Sequence, residues 1–93
     1  MRAGVSRIEI LISRSFSLKD RRRVMNSVKH RLRNRFNISI IETSSSNTWN
    51  QGIFGIALAG EDERGIRSVV EKIVSFLDED DRFEVIDVSL DLI

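Results

Sequence analysis

The chain has 93 residues, of which 41% are hydrophobic and 31% charged, and its formal net charge is +1. These values predict one soluble globular domain spanning residues 1–93. No apolar run approaches the roughly 20 residues that span a bilayer. The sequence contains no Cys and a single His, which excludes disulfides and Cys-based zinc sites. We therefore expect a cytoplasmic protein without a membrane partner.

The small net charge conceals a strong separation of charge along the chain. Nine of the fifteen Lys and Arg residues fall between Arg14 and Arg35, where Asp20 is the one acidic residue, so this segment has a formal charge of +8. Residues 61–93 contain eleven acidic and four basic side chains, which gives a formal charge of −7. A basic patch of this density attracts phosphate-rich partners through long-range electrostatics.

The first two elements follow from local patterns. Residues 5–12 alternate between apolar and polar side chains, the period of a half-buried strand. Ser17, with an acid three residues later at Asp20, is typical of a helix N-terminus, and we expect this helix to continue to about Phe36. Its apolar stripe comprises Val24, Met25, Val28, Leu32 and Phe36.

Three strands and a second helix are predicted in the rest of the chain. Residues 37–42 form a β-rich run, and a polar loop follows at 43–48. Residues 53–58 predict a third strand, and a helix is expected from near Asp62 to the acidic run at 78–81. Residues 86–92 alternate again and predict a fourth half-buried strand, with Ile86 among its inward-facing residues.

The element order β-α-β-β-α-β predicts a ferredoxin-like α+β two-layer sandwich, in which a four-stranded antiparallel sheet has both helices on one face. The other face, here called the open sheet face, is then left uncovered. The alternation of the strand residues places on it Arg7, Glu9, Leu11, Gly55, Ala57, Asp87 and Asp91.

Several strings of residues resemble those of a known family. They are Ser17-Leu18-Lys19-Asp20-Arg21-Arg22-Arg23-Val24, Leu32-Arg33-Asn34-Arg35-Phe36-Asn37-Ile38-Ser39, Glu42, Trp49 and Val85-Ile86-Asp87-Val88. They resemble the YlxP-like family of small bacterial proteins, a domain family of unknown function, and the similarity runs essentially end to end. The resemblance implies a ferredoxin-like fold and a cytoplasmic bacterial protein, whose relatives often lie beside genes for translation initiation and ribosome maturation. It implies no activity.

The predicted first helix has a basic stripe on the arc opposite its apolar stripe. Its members, spaced three and four residues apart, are Lys19, Arg22, Arg23, Asn26, Lys29, His30 and Arg33. The stripe could contact successive RNA phosphates, an acidic protein surface or only solvent. Because like charges at these spacings repel each other, we favour a phosphate-bearing partner. Arg21 and Arg35 fall on the apolar arc and are expected at its rim.

Arg14 and Trp49 are the remaining candidates for contacts with an anionic partner. Arg14 precedes the predicted helix start, where backbone donors and the helix dipole favour an anion. No Gly-rich cradle accompanies it, and His30 has no carboxylate or second His nearby in the sequence, so we expect no enzyme activity, cofactor or metal site. Trp49 could stack on a base, bind a partner or pack on the sheet edge.

Two functional hypotheses follow. The leading one is a non-enzymatic binding domain that docks on structured RNA or a ribosome-related assembly through the first helix. An RNA-binding sheet is disfavoured because Phe54 is predicted to point toward the helices, which leaves no aromatic platform for base stacking. The alternative is a homodimeric interaction module without nucleic acid, in which the small Gly55, Ala57 and Ala59 let the open sheet face approach a second copy and the charged residues of that face pair across a two-fold axis.

Overall fold

The computed structural model describes residues 1–13, 17–43 and 50–93. The described residues form six elements in the predicted order. They are β1 (Arg2–Ile12), α1 (Leu18–Arg35), β2 (Ser39–Thr43), β3 (Gln51–Gly60), α2 (Glu63–Asp78) and β4 (Phe83–Leu92). Neither helix of the described segments is long and apolar enough to cross a membrane.

The four strands form one antiparallel sheet in the order β2-β3-β1-β4. The register places Ser6 of β1 opposite Ile56 of β3 on one side and Leu90 of β4 on the other. Ile40 of β2 also faces Ile56, so residues 40, 56, 6 and 90 cross the sheet in one row. The predicted ferredoxin-like α+β sandwich is confirmed.

The core lies between the sheet and the two helices, as the apolar periodicities require. Met25, Val28 and Leu32 are buried on α1, at the spacing of one helix face. Alternate strand residues meet them, because successive side chains of a strand point to opposite faces. The buried partners on α2 and the central strands include Ile8, Ile10, Phe54, Ile56, Ile66, Val70, Ile73 and Leu77.

The fourth strand differs from its prediction because it contains an irregularity. β4 begins at Phe83, three residues earlier than expected, and its register with β1 shifts between Glu9 and Ile10. Glu9 faces Asp87 whereas Ile10 faces Val85, which leaves Ile86 without a partner on β1. Such a β-bulge interrupts the alternation of side chains, so Phe83 and Val85 face the core before it and Leu90 and Leu92 after it. Ile86 is consequently 43% exposed, so the expectation that it faces the core is wrong.

Candidate anionic-partner interface on the first helix

The first helix is held in place at both ends and along one face. The Oγ of Ser17 accepts a hydrogen bond from the Asp20 backbone N–H at 3.2 Å, which caps the N-terminus as predicted. At the other end the Phe36 backbone N–H donates to the Leu32 carbonyl at 2.9 Å. Because the apolar face is buried on the sheet, most of the basic side chains of α1 lie on its exposed faces.

Arg21 belongs to the structural framework. Its Nε donates to the Gln51 carbonyl at 2.7 Å, and its guanidinium forms a 3.1 Å ion pair with Glu42. Only 16% of the Arg21 side chain is exposed. Arg21 therefore ties α1 to the adjoining ends of β2 and β3, which agrees with its expected position at the rim of the apolar arc.

Two further arginines of α1 face the second helix. Arg31 and Arg35 lie over the ring of Phe76, with guanidinium carbons 4.9 and 5.1 Å from its centroid. Phe36 contacts the same ring edge-on at a centroid distance of 6.0 Å. Cations over an aromatic face are attracted by its quadrupole. Arg31 and Arg35 consequently stabilise the packing of α1 against α2.

Asp80 joins α1 to the segment between α2 and β4 through a cluster that the sequence pattern did not reveal. Its carboxylate pairs with Arg82 at 2.6 Å and with Arg31 at 3.1 Å, and it accepts the Arg82 backbone N–H at 3.0 Å. Only 7% of the Asp80 side chain is exposed. The side-chain hydrogen bonds from Arg82 hold the pKa of Asp80 below its ordinary value, although burial opposes this effect. Arg82 also reaches the Ser27 hydroxyl at 3.3 Å.

Two members of the basic stripe have partners in the fold. Arg33 donates to the Ile40 carbonyl of β2 at 3.1 Å, so this residue also stabilises an edge strand. His30 is exposed, and its Nε2 lies 3.1 Å from the Asn34 side-chain nitrogen, one helical turn away.

Four of the six basic residues in the basic stripe have no such partner. They are Lys19, Arg22, Arg23 and Lys29, here called the free cations, and no side-chain hydrogen bond or ion pair joins them to any other residue in the described part of the chain. Lys29 is half-buried and the other three are exposed. Arg22 and Lys29 lie seven residues apart and therefore on one line along the helix. Arg14 and Trp49 lie outside the described residues.

A family model described as "Protein of unknown function (DUF503)" matches residues 3–90. The chain belongs to this family. The chain is 31% identical over 75 residues to "Uncharacterized protein YlxP" of Bacillus subtilis (strain 168). This match covers 81% of the chain and 82% of that protein. The family resemblance expected from the sequence strings is thereby confirmed.

The fold of this DUF503 domain also resembles that of a solved artificial protein. The "De novo designed protein Foldit4" superposes with a TM-score of 0.52, covering 98% of this chain and 96% of the designed chain at 16% sequence identity. A likeness at this identity concerns the backbone architecture alone. The function of this DUF503 domain must therefore be argued from its side chains.

The open sheet face is the second candidate surface of this DUF503 domain. Val5 and Ile41 lie on it and are 42% and 62% exposed. Arg7 lies 3.8 Å from Glu9 and 3.7 Å from Asp87, so this cation already has acidic neighbours within its own chain. The face thus combines exposed apolar side chains with a cluster of one cation and two carboxylates, whose formal charge is −1.

Proposed function

We propose that this DUF503 domain is a non-enzymatic binding domain that contacts the phosphate backbone of structured RNA, alone or within a ribosome-related assembly, through the basic stripe of α1. The observation that carries the proposal is the set of four free cations on one helix. Such a partner also implies a cytoplasmic location. The gene neighbourhood that the family resemblance implies is consistent with this proposal.

Charge balance within the fold favours an external partner for the free cations. The chain has fourteen acidic residues, and Glu42 and Asp80 pair with other cations of α1. In the described segments no carboxylate forms an ion pair with the free cations. Like charges spaced three and four residues apart on a helix destabilise it. An anionic partner that approaches α1 would relieve this repulsion.

A backbone-contacting mode fits the residues better than base stacking on the sheet. Sequence-specific sheet platforms use exposed aromatic rings on the central strands. Phe54, the aromatic residue of β3, is fully buried between the sheet and the helices. Lysine and arginine side chains instead contact phosphates, and these contacts make the affinity strongly dependent on salt but carry no sequence information themselves.

The salt dependence of RNA binding tests the proposal quantitatively. If each of the four free cations neutralises one phosphate, the logarithm of the affinity should fall with the logarithm of salt concentration with a slope of about −2.8 to −3.6. This corresponds to a loss of roughly 50- to 150-fold in affinity between about 50 and 200 mM salt. Fluorescence anisotropy with a labelled RNA hairpin measures this slope directly.

A matched pair of double variants tests whether the salt dependence of RNA binding comes from the cations of α1. R22Q/K29Q removes two free cations, and R64Q/K72Q removes two exposed cations from α2. R22Q/K29Q should halve the slope, which leaves a loss of about 7- to 12-fold over the same salt range. R64Q/K72Q should leave the slope unchanged. Equal slopes for the two double variants would contradict the assignment to α1.

The open sheet face supports a second candidate function, a homodimeric interaction module without nucleic acid. The specific observation is the exposure of the apolar Val5 and Ile41 next to the small residues Gly55, Ala57 and Ala59. Since Arg7 already has Glu9 and Asp87 as neighbours, apolar contact rather than new ion pairs would have to stabilise such a dimer. Light scattering across a concentration series tests it, and V5S/I41S should shift any dimer to monomer. A monomer at all concentrations would exclude this function.

A further inference from the structure

A groove of about 710 Å³ lies beside the N-terminal half of α1. One wall is the helix surface formed by Asp20, Arg23 and Val24, which lie three and four residues apart. The opposite wall is the segment between α2 and β4, which contributes Asp81 and Arg82. Its volume falls within the range of roughly 300–1,000 Å³ that is usual for small-molecule sites.

The base of the groove is built from regular structure. Ile12 and Ser13, at the end of β1, line it from below, and Ile12 is buried. The Ser13 backbone N–H donates to the Arg82 carbonyl at 2.9 Å, which fixes the α2–β4 segment against the end of β1. The Asp80 cluster holds the same segment against α1 through Arg31. The two walls of the groove are therefore tied to each other.

The charges of the groove do not favour a bare phosphate. Among the described residues, two carboxylates and two guanidinium groups line it, so this part of the lining is formally neutral, unlike the neighbouring basic stripe. A ligand that suits it is polar but uncharged, with hydrogen-bond donors and acceptors on a flat body that can cover an apolar side chain. A nucleobase has these properties.

The existing contacts identify which lining groups are available to such a ligand. Arg82 is engaged by Asp80 and Ser27, and Asp20 already has partners within the fold. Asp81 and Arg23 are exposed, and neither side chain makes a hydrogen bond or ion pair with another residue in the described ranges. The groove thus offers one carboxylate, one guanidinium group and the half-buried side chain of Val24.

We infer that the groove binds an unpaired guanine of the RNA, with the Asp81 carboxylate accepting hydrogen bonds from guanine N1–H and the N2 amino group. The inference rests on the proposed function. Guanine is the base that presents two adjacent donors on its Watson–Crick edge, whereas adenine and cytosine present a ring-nitrogen acceptor there and uracil a single N–H donor. Arg23, which lines the groove and also belongs to the basic stripe, binds the phosphate of the same nucleotide. The Val24 side chain packs against the face of the base.

Base preference at one unpaired position tests the inference. The probes are four RNA hairpins that are identical except for a single bulged nucleotide, which is G, A, U or C. The G hairpin should bind on the order of tenfold more tightly than the other three, since a bidentate contact discriminates between bases. In D81N this preference should fall to less than about threefold, because an amide offers one acceptor where the carboxylate offered two.

D78N provides the matched control, because it removes the same charge from an exposed position outside the groove. It should raise the affinity for all four hairpins together and keep the preference for G. If all four hairpins bind equally and R22Q/K29Q still halves the salt slope, the guanine inference is overturned while the proposed function stands. A preference for G that persists in D81N also overturns the inference. The absence of binding to any hairpin overturns both.

Discussion

The substitution D80N is the most informative perturbation of the fold. In the wild type the Asp80 carboxylate accepts from Arg82, Arg31 and the Arg82 backbone N–H. An asparagine at this position retains an acceptor for the backbone N–H but loses both ion pairs. These two ion pairs stabilise the fold less than fully buried pairs would, because 48% of the Arg31 side chain and 38% of the Arg82 side chain are exposed. Both cations are therefore hydrated by water when the carboxylate is removed. We expect D80N to lower the free energy of unfolding by about 2 kcal/mol.

The pH dependence of this loss provides a second, independent readout. The pKa of Asp80 in the folded protein lies below the ordinary value of 3.8, chiefly because Arg82 hydrogen-bonds to the charged carboxylate. The contribution of the Asp80 carboxylate to the free energy of unfolding is therefore fully present above pH 3.8. It is lost as the pH falls through the lower folded-state pKa. The difference in unfolding free energy between wild type and D80N should be constant at neutral pH and shrink in acid.

Urea unfolding followed by circular dichroism measures both effects. The neighbouring D81N, an exposed position, serves as the control and should change the unfolding free energy by less than about 0.5 kcal/mol. A thermal midpoint lowered by roughly 8–16 °C in D80N would correspond to the expected loss. If D80N and D81N were equally stable at pH 7, or if the gap between wild type and D80N did not close in acid, the reasoning would be refuted.

Two core predictions concern residues whose surroundings are fixed by the sheet. A Cβ added at Gly52 would overlap the Met25 sulfur and lie 2.6 Å from its Cε, and Met25 is fully buried, so G52A should destabilise by about 1–3 kcal/mol in urea unfolding. The double variant G52A/M25A should cost less than the sum of the single variants, and strict additivity would contradict the contact. Ser6, also fully buried, donates to the Ser89 carbonyl at 2.7 Å. S6A should cost about 1 kcal/mol, and an unchanged unfolding midpoint would contradict that role.

The fold was predictable because its determinants are local. The Ser17 cap and the apolar spacing of Met25, Val28 and Leu32 specify α1 without knowledge of the rest of the chain. Strand alternation likewise placed Phe54 in the core. The bulge near Ile86 was not predictable, since it depends on how β4 aligns with β1, more than seventy residues away in sequence.

The candidate site was only partly predictable for a related reason. The sequence identified the cations of α1 but could not show which of them are engaged within the fold. Arg33 binds the Ile40 carbonyl, and Arg31 binds Asp80 across 49 residues. Such pairings follow from the tertiary arrangement of α1, β2 and the α2–β4 segment. Because these arginines are engaged within the fold, the positive charge that α1 can offer to a partner lies mainly on the four free cations, which end at Lys29.

Amide chemical-shift mapping is the most direct test of the basic stripe as the contact surface. ¹⁵N-labelled protein is titrated with an RNA hairpin at low salt, and the shifted backbone amides are located in the fold. The perturbed amides should cluster on α1 between Lys19 and Arg33 and should return to their free positions when salt is raised. Perturbations centred on Val5 and Ile41 of the open sheet face, with α1 unchanged, would contradict the proposed function.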